Sequence, residues 1–238
     1  MDPFRRLSLT TGILFLLTFV SAIVGVALYG PVLSDPDFVL GSADASAENL
    51  VILGALCELV LIAANIGTAL ALYPVLKRQS PALALGYVAA RIVECVFIAV
   101  GLLALLTVVT LRQEGAASEP ALLVLGQGLV DLRDWTFLLG PGFVVGIGNG
   151  LLLGWLLWRS HLVPRPMALI GVIGGPLMTL SGIAVMFGAY EQTSVPSVLF
   201  TLPEIVWEAS LGIYLVAKGF RPAAVARLAP ARELTTSS

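Results

Sequence analysis

Histidine is nearly absent from this chain: His161 stands alone. One imidazole, in a predicted loop, excludes paired-histidine haem ligation, the H-E-x-x-H zinc motif and a serine–histidine dyad within a membrane. Lysine is almost as scarce. Lys77 and Lys218 fall at predicted helix ends, which leaves no buried amine for a retinal Schiff base. No aspartate lies in the middle of an apolar run, which argues against an intramembrane aspartyl protease. Cys57 and Cys95 form neither a C-x-x-C nor a zinc-type spacing, so no disulfide framework or metal site is implied. Walker-type and dinucleotide glycine motifs are missing too. The residues imply no cofactor, no metal and no catalytic group.

Charge as a whole is thin. Only 12% of residues are charged and 58% are hydrophobic, with a mean hydropathy of +0.98. Soluble domains carry about 25% charge, so this chain belongs to the membrane class and its expected partner is the lipid bilayer. A net charge of −2 argues against a nucleic-acid partner.

What is present is a series of long apolar runs. A crossing helix needs about 20 mainly apolar residues, rising ~1.5 Å each through ~30 Å of hydrocarbon. Six segments qualify, near 7–32, 49–75, 82–111, 135–158, 167–190 and 196–218. The predicted fold is an all-α polytopic bundle of six transmembrane helices, one domain over 1–221, followed by a disordered tail at 222–238. Arg5 and Arg6 precede the first run as in a signal peptide, but the uncharged stretch 7–33 exceeds a signal core of about 7–15 residues and reads as a retained anchor. Residues 119–134, apolar at Leu122, Leu125, Leu129 and Leu132, suit a short interfacial or re-entrant helix, or an extension of span four.

Charges sort by side. Arg5, Arg6, Lys77, Arg78, Arg159, Arg165, Lys218, Arg221, Arg227 and Arg232 fall on one face of a six-span arrangement. The opposite loops hold Asp35, Asp37, Asp44, Glu48, Glu114, Glu119, Asp131, Asp134 and Glu191, with Arg112 and Arg133 as their basic residues. Lysine and arginine bias orients membrane proteins, so both termini are expected in the cytoplasm.

Small residues mark helix packing, because lipid supplies no hydrophobic drive for association. Gly142, Gly146, Gly150 and Gly154 recur every four residues in span four, and Gly171 and Gly175 repeat the spacing in span five. Gly140-Pro141-Gly142 and Gly174-Gly175-Pro176 are candidate kinks.

Five ionisable residues fall inside predicted spans: Glu58, Arg91, Glu94, Glu204 and Glu208, joined by Asn65 and Asn149. A central charge costs about 2.5–3.5 kcal/mol on insertion scales, so such residues face the protein interior. Each lies roughly 12–20 Å from one end of its span, which predicts one central polar layer. Helical spacing pairs Glu58 with Asn65, Arg91 with Glu94, and Glu204 with Glu208 on shared faces. Four carboxylates around one guanidinium cannot all be ionised cheaply. They suit a proton relay or a binding site for a small solute or ion, and the leading expectation is binding or transport through Glu58, Arg91, Glu94, Asn149, Glu204 and Glu208. A buried ion pair that only holds helices together, in a structural or regulatory partner, is the competing reading. Glutamate chemistry on a lipid is a third. Bundles of this size often form homo-oligomers, and nothing in the residues fixes a number.

The segments LRDWTFLLGPGF (132–143), GLLLGWLLWRSHLVPRPMALIGVIGG (150–175) and PEIVWEASLGIYLVAKGFRP (203–222), with ARIVE at 90–94, carry a family pattern. The chain resembles a bacterial membrane family catalogued as a domain of unknown function, number forty-three eighty-six, over nearly its whole length up to Pro222. Members tend to carry an aromatic residue after the Pro-Arg pair; Pro166 stands there instead, so that loop is expected to differ locally. The resemblance implies a multi-pass protein of the bacterial inner membrane. It carries no assigned activity, and no functional residue transfers with it.

Overall fold

The computed structural model describes residues 2–41, 45–114 and 118–228. These residues form helices and no strands, and six helices are long and apolar enough to cross a membrane. They are α1 (Pro3–Leu28), α2 (Ala45–Leu76), α3 (Pro81–Glu114), α4 (Glu119–Ser160), α5 (Arg165–Met186) and α6 (Val195–Ala217). Each span packs against its chain neighbours and α6 returns to α1, so the bundle is a ring closed in chain order. The two chain ends meet there: Arg5 Nη1 and Nη2 donate to Leu215 O and Val216 O at 2.9 and 2.6 Å. The outward surface is hydrocarbon-like, with Val20, Leu70, Leu85, Leu103 and Leu180 each more than half exposed. Such a belt is compatible with lipid, not with water.

Two boundaries differ from the sequence expectation, at the end of the first span and at the start of the tail. The first span ends at Leu28, and Gly30-Pro31 starts a separate short helix, Gly30–Ser34. Segment 119–134 takes one of the forms expected of it, an extension of span four, as the first part of α4. The expected disordered tail begins instead with a seventh helix, α7 (Pro222–Leu228). Proline at its first position has a preset helical φ, and Ala223, Ala224 and Ala226 are strong helix formers. Ala224 is buried beside Phe220 in the bundle core, which anchors the helix. The remainder of that predicted tail, 229–238 with Arg232, lies outside the described residues.

α4 is wound unusually. Leu138–Val144 and Gly146–Leu153 are π-helical, with i→i+5 bonding. The wider winding begins at Leu138 and includes Pro141, whose missing N–H already breaks the regular ladder. It also redistributes the glycine stripe. Gly146, Gly150 and Gly154 meet α5, while Gly140 and Gly148 meet Phe97 and Ala90 of α3. Gly142 belongs to neither contact and borders a cavity. On α5, Gly175 lies against the α4 backbone and Gly171 against the Trp207 indole of α6.

Helix lengths are unequal. α5 and α6, at 22 and 23 residues, measure about 33–35 Å, whereas α2 and α3, at 32 and 34, measure about 48–51 Å. At the end carrying the termini all six contribute to one core, built on Phe15, Leu72, Tyr87, Leu156, Trp207 and Leu211. At the other end a second core, with Tyr29, Phe38, Val51, Leu105 and Leu122, draws on α1 to α4 and their connections only. α5 and α6 stand apart from it.

Close backbone contact between α4 and α5 gives a direct test. A Cβ on Gly150 would overlap Gly175 Cα and Glu204 Oε2, whereas one on Gly128 would meet nothing within 4 Å. Gly150→Val is expected to destabilise the bundle by at least the 1–3 kcal/mol typical of overpacking, read as a lowered melting temperature in detergent. Gly128→Ala should leave that temperature unchanged or raise it.

Candidate functional site

Eight polar or ionisable side chains lie deep inside the ring. α2 supplies Glu58 and Asn65, α3 Arg91 and Glu94, α4 Arg133 and Asn149, and α6 Glu204 and Glu208. All but Glu208 are at most 4% exposed. Glu208 keeps part of its surface open to the cavity.

They form two tiers rather than one layer. In the first, Arg133 Nη2 donates to Glu58 Oε1 at 2.7 Å and Tyr29 OH donates to Glu58 Oε2 at 3.0 Å. The same guanidinium lies 5.6 Å from the Tyr29 ring centre and 4.9 Å from that of Phe137. In the second, Arg91 Nη1 donates to Glu94 Oε2 and Asn65 Nδ2 to Glu94 Oε1, both at 2.8 Å. Asn65 and Glu58 are seven residues apart on α2, which separates the tiers by about 10 Å along the axis. Glu58 therefore pairs with Arg133, not with the Arg91 cluster.

The second tier continues across the ring. Asn149 Nδ2 donates to Glu208 Oε1, and Trp207 Nε1 donates to Asn149 O at 3.0 Å. The π winding of α4 thus presents both the side chain and the carbonyl of Asn149 to α6. Glu204, one turn before Glu208, has no hydrogen-bond partner on either carboxyl oxygen. Its Oε2 lies over Gly150 and Gly174, where the neighbouring chains offer bare backbone and no donor side chain.

Arg133 is the residue that sequence reasoning misplaced, as an outer-loop charge. In the 119–137 part of α4 the buried positions are Leu122, Gly126, Arg133 and Thr136, whereas Leu125 and Leu132 are 53% and 42% exposed. In a membrane the apolar stripe faces lipid and the small or polar stripe faces protein, the reverse of a soluble helix. Read that way, Gly126 and Arg133 mark the inward face. Tyr29 carried no such signal.

Both tiers border a cavity of ≈ 640 Å³. Glu58, Asn65, Arg91, Glu94, Glu204 and Glu208 line it, and Gln192, in the α5–α6 connection, marks its far end. Asn149 and Arg133 stand behind this lining. The remaining walls are mostly apolar, among them Phe19, Ile98, Leu138, Val145 and Met178. Ile23 and Val26 of α1 and Val198 and Ile205 of α6 also line it, yet are 39–62% exposed on the outside. The cavity therefore opens sideways between α1 and α6. Below it those helices touch, with Gly12 against Gly212 and Val216.

A family model described as a domain of unknown function (DUF4386) matches residues 10–219. The chain belongs to that family. No solved structure matches it. In this DUF4386 protein the matched region contains every residue of both tiers, Tyr29 included.

The two tiers hold four carboxylates and two guanidiniums, so two carboxylates exceed the cations there. Breaking one partner of a buried pair leaves an uncompensated charge. Arg133→Leu should therefore destabilise the protein by about 3–5 kcal/mol, and the double change Glu58→Leu/Arg133→Leu should recover most of that loss. Thermal unfolding of the two variants in detergent checks it.

Proposed function

We propose that this membrane protein binds a small solute or ion in its mid-membrane cavity and carries it across the bilayer, with protons exchanging at the surplus carboxylates. The observation that carries the reading is a half-depth cavity ending on Glu204, whose carboxyl group has no partner. The cavity is open toward Gln192 and closed toward the termini by the core around Trp207 and Leu211. An opening on one side with a polar site at its inner end is what a carrier would need in one access state, which supports the reading. Its volume falls within the range of small-molecule sites, roughly 300–1,000 Å³, and its walls combine apolar surface with a few polar groups, as such sites do.

The tiers divide in this reading. Glu58, Arg133 and Tyr29 hold α1, α2 and α4 together, while Arg91, Glu94, Asn149, Glu204 and Glu208 form the responsive part. The lateral opening favours a second reading, glutamate chemistry on a lipid-borne substrate, because Glu204 and Glu208 lie together where a lipid tail could enter. In reconstituted liposomes containing a pH-sensitive dye, wild type should carry a proton or solute flux that Glu204→Gln and Glu94→Gln sharply reduce. Wild-type flux in both variants would refute the carrier.

We further propose that both termini are cytoplasmic in a bacterial inner membrane. Arg5, Lys77, Arg78, Arg159, Arg165 and Lys218 all sit at the end of the bundle where α1 starts and α6 finishes, and the burial of Arg133 removes one basic residue from the opposite side. A membrane-impermeant maleimide applied to intact cells should label Gln192→Cys. Labelling only after permeabilisation would reverse the orientation.

A further inference from the structure

The charge balance, the bare carboxyl group and the wall chemistry of the cavity narrow what it can hold. We infer that its ligand is a monovalent organic cation with an apolar body, whose charged group sits against Glu204 with Glu208 beside it. This deepens the binding reading above and rests on it.

Charge selects first. Arg91 is engaged by Glu94 and Arg133 by Glu58, so both guanidiniums are already paired. An anion entering the cavity would meet paired cations and two further carboxylates. A neutral solute would leave those carboxylates as they are. A single positive charge offsets one of them, and a protonated amine brings the N–H donors that Glu204 Oε1 and Oε2 lack. Glu204 is 1% exposed, and Glu208, partly open to the cavity, is the carboxylate a cation there meets directly.

Wall chemistry selects second. An inorganic cation needs several oxygen ligands converging on one point. Among the described residues no group of three acidic, histidine or cysteine side chains is placed to hold a metal ion. Around the carboxyl groups the cavity is instead hydrocarbon, with Phe19, Ile98, Leu138, Val145 and Met178 presenting apolar surface to a ligand body. The exposed apolar rim formed by Ile23, Val26, Val198 and Ile205 lets such a body enter from the hydrocarbon.

Three probes of equal shape separate the alternatives: 2-phenylethylammonium, its neutral isostere propylbenzene, and 3-phenylpropanoate. Binding to the full chain in lipid nanodiscs is measured by calorimetric titration, with empty nanodiscs as the control for partitioning. The ammonium ion should bind most tightly, and Glu204→Gln should weaken it about tenfold or more while changing propylbenzene little. Equal or tighter binding of the neutral or anionic probe overturns the cation assignment and leaves the cavity reading standing. Unchanged ammonium binding in Glu204→Gln removes Glu204 from the site. Binding of none of the three above empty nanodiscs overturns the binding reading itself. If Glu204→Gln lowers the unliganded melting temperature so far that it cannot be titrated, Glu208→Gln provides the same comparison, since it removes the second surplus charge.

Discussion

A charge in hydrocarbon must find its counter-charge within the protein, and this constraint organises the bundle. Arg133 lies on a helix that would otherwise stop at the interface. Its 2.7 Å contact with Glu58 allows α4 to run without a break from Glu119 to Ser160. Tyr29 completes the Glu58 carboxylate from α1, so one carboxylate ties three helices. Arg91 and Glu94 solve the same problem within one turn of α3, with Asn65 reaching over from α2. These contacts also fix helix rotation, because turning any of the helices would bring a guanidinium or carboxylate to lipid.

The second constraint is backbone proximity. α4 and α5 come together at Gly146, Gly150 and Gly175, close enough that any side chain would collide with backbone. The π winding of α4 is compatible with this, since its glycines serve α3 on one side and α5 on the other. The same winding turns Asn149 toward α6, where its carbonyl receives Trp207 and its amide reaches Glu208. Packing and polar chemistry are thus set by one irregular segment, as is common where π turns occur.

Much of this was legible in the residues. Long apolar runs marked the six spans, and of the five ionisable residues within those runs Glu58, Arg91, Glu94 and Glu204 are buried and Glu208 is half-buried. Two things were not legible, for physical reasons. Glycine at four-residue spacing reads as a single stripe only if the helix is α; π winding takes Gly142 off that face. Arg133 stood between Asp131 and Asp134, in a segment polar enough to pass for an interface. With the fourth span drawn from residue 135, Arg133 fell in the connection before it. Its partner lies 75 residues earlier, a separation that helical periodicity cannot bridge. Without that pair the interior appeared to hold one cation and four acids in a single layer.

With Arg133 counted, the two tiers acquire different characters. The Glu58 carboxylate has a donor on each oxygen, and its surroundings offer no gain from a further ligand. Ten ångströms away, Glu204 has a donor on neither oxygen, and the wall beside it is open. The asymmetry follows from helix length. α2, α3 and the first half of α4 extend far enough to share a second core beyond the Glu58 tier, and Glu58 itself still lines the cavity. α5 and α6 end earlier and diverge from α1 above Gly12 and Gly212, so the tier between them keeps a cavity. Near the termini α1 and α6 meet through small residues, Gly12 against Gly212, while the Glu58–Arg133 pair ties α2 to α4 on the other side of the cavity.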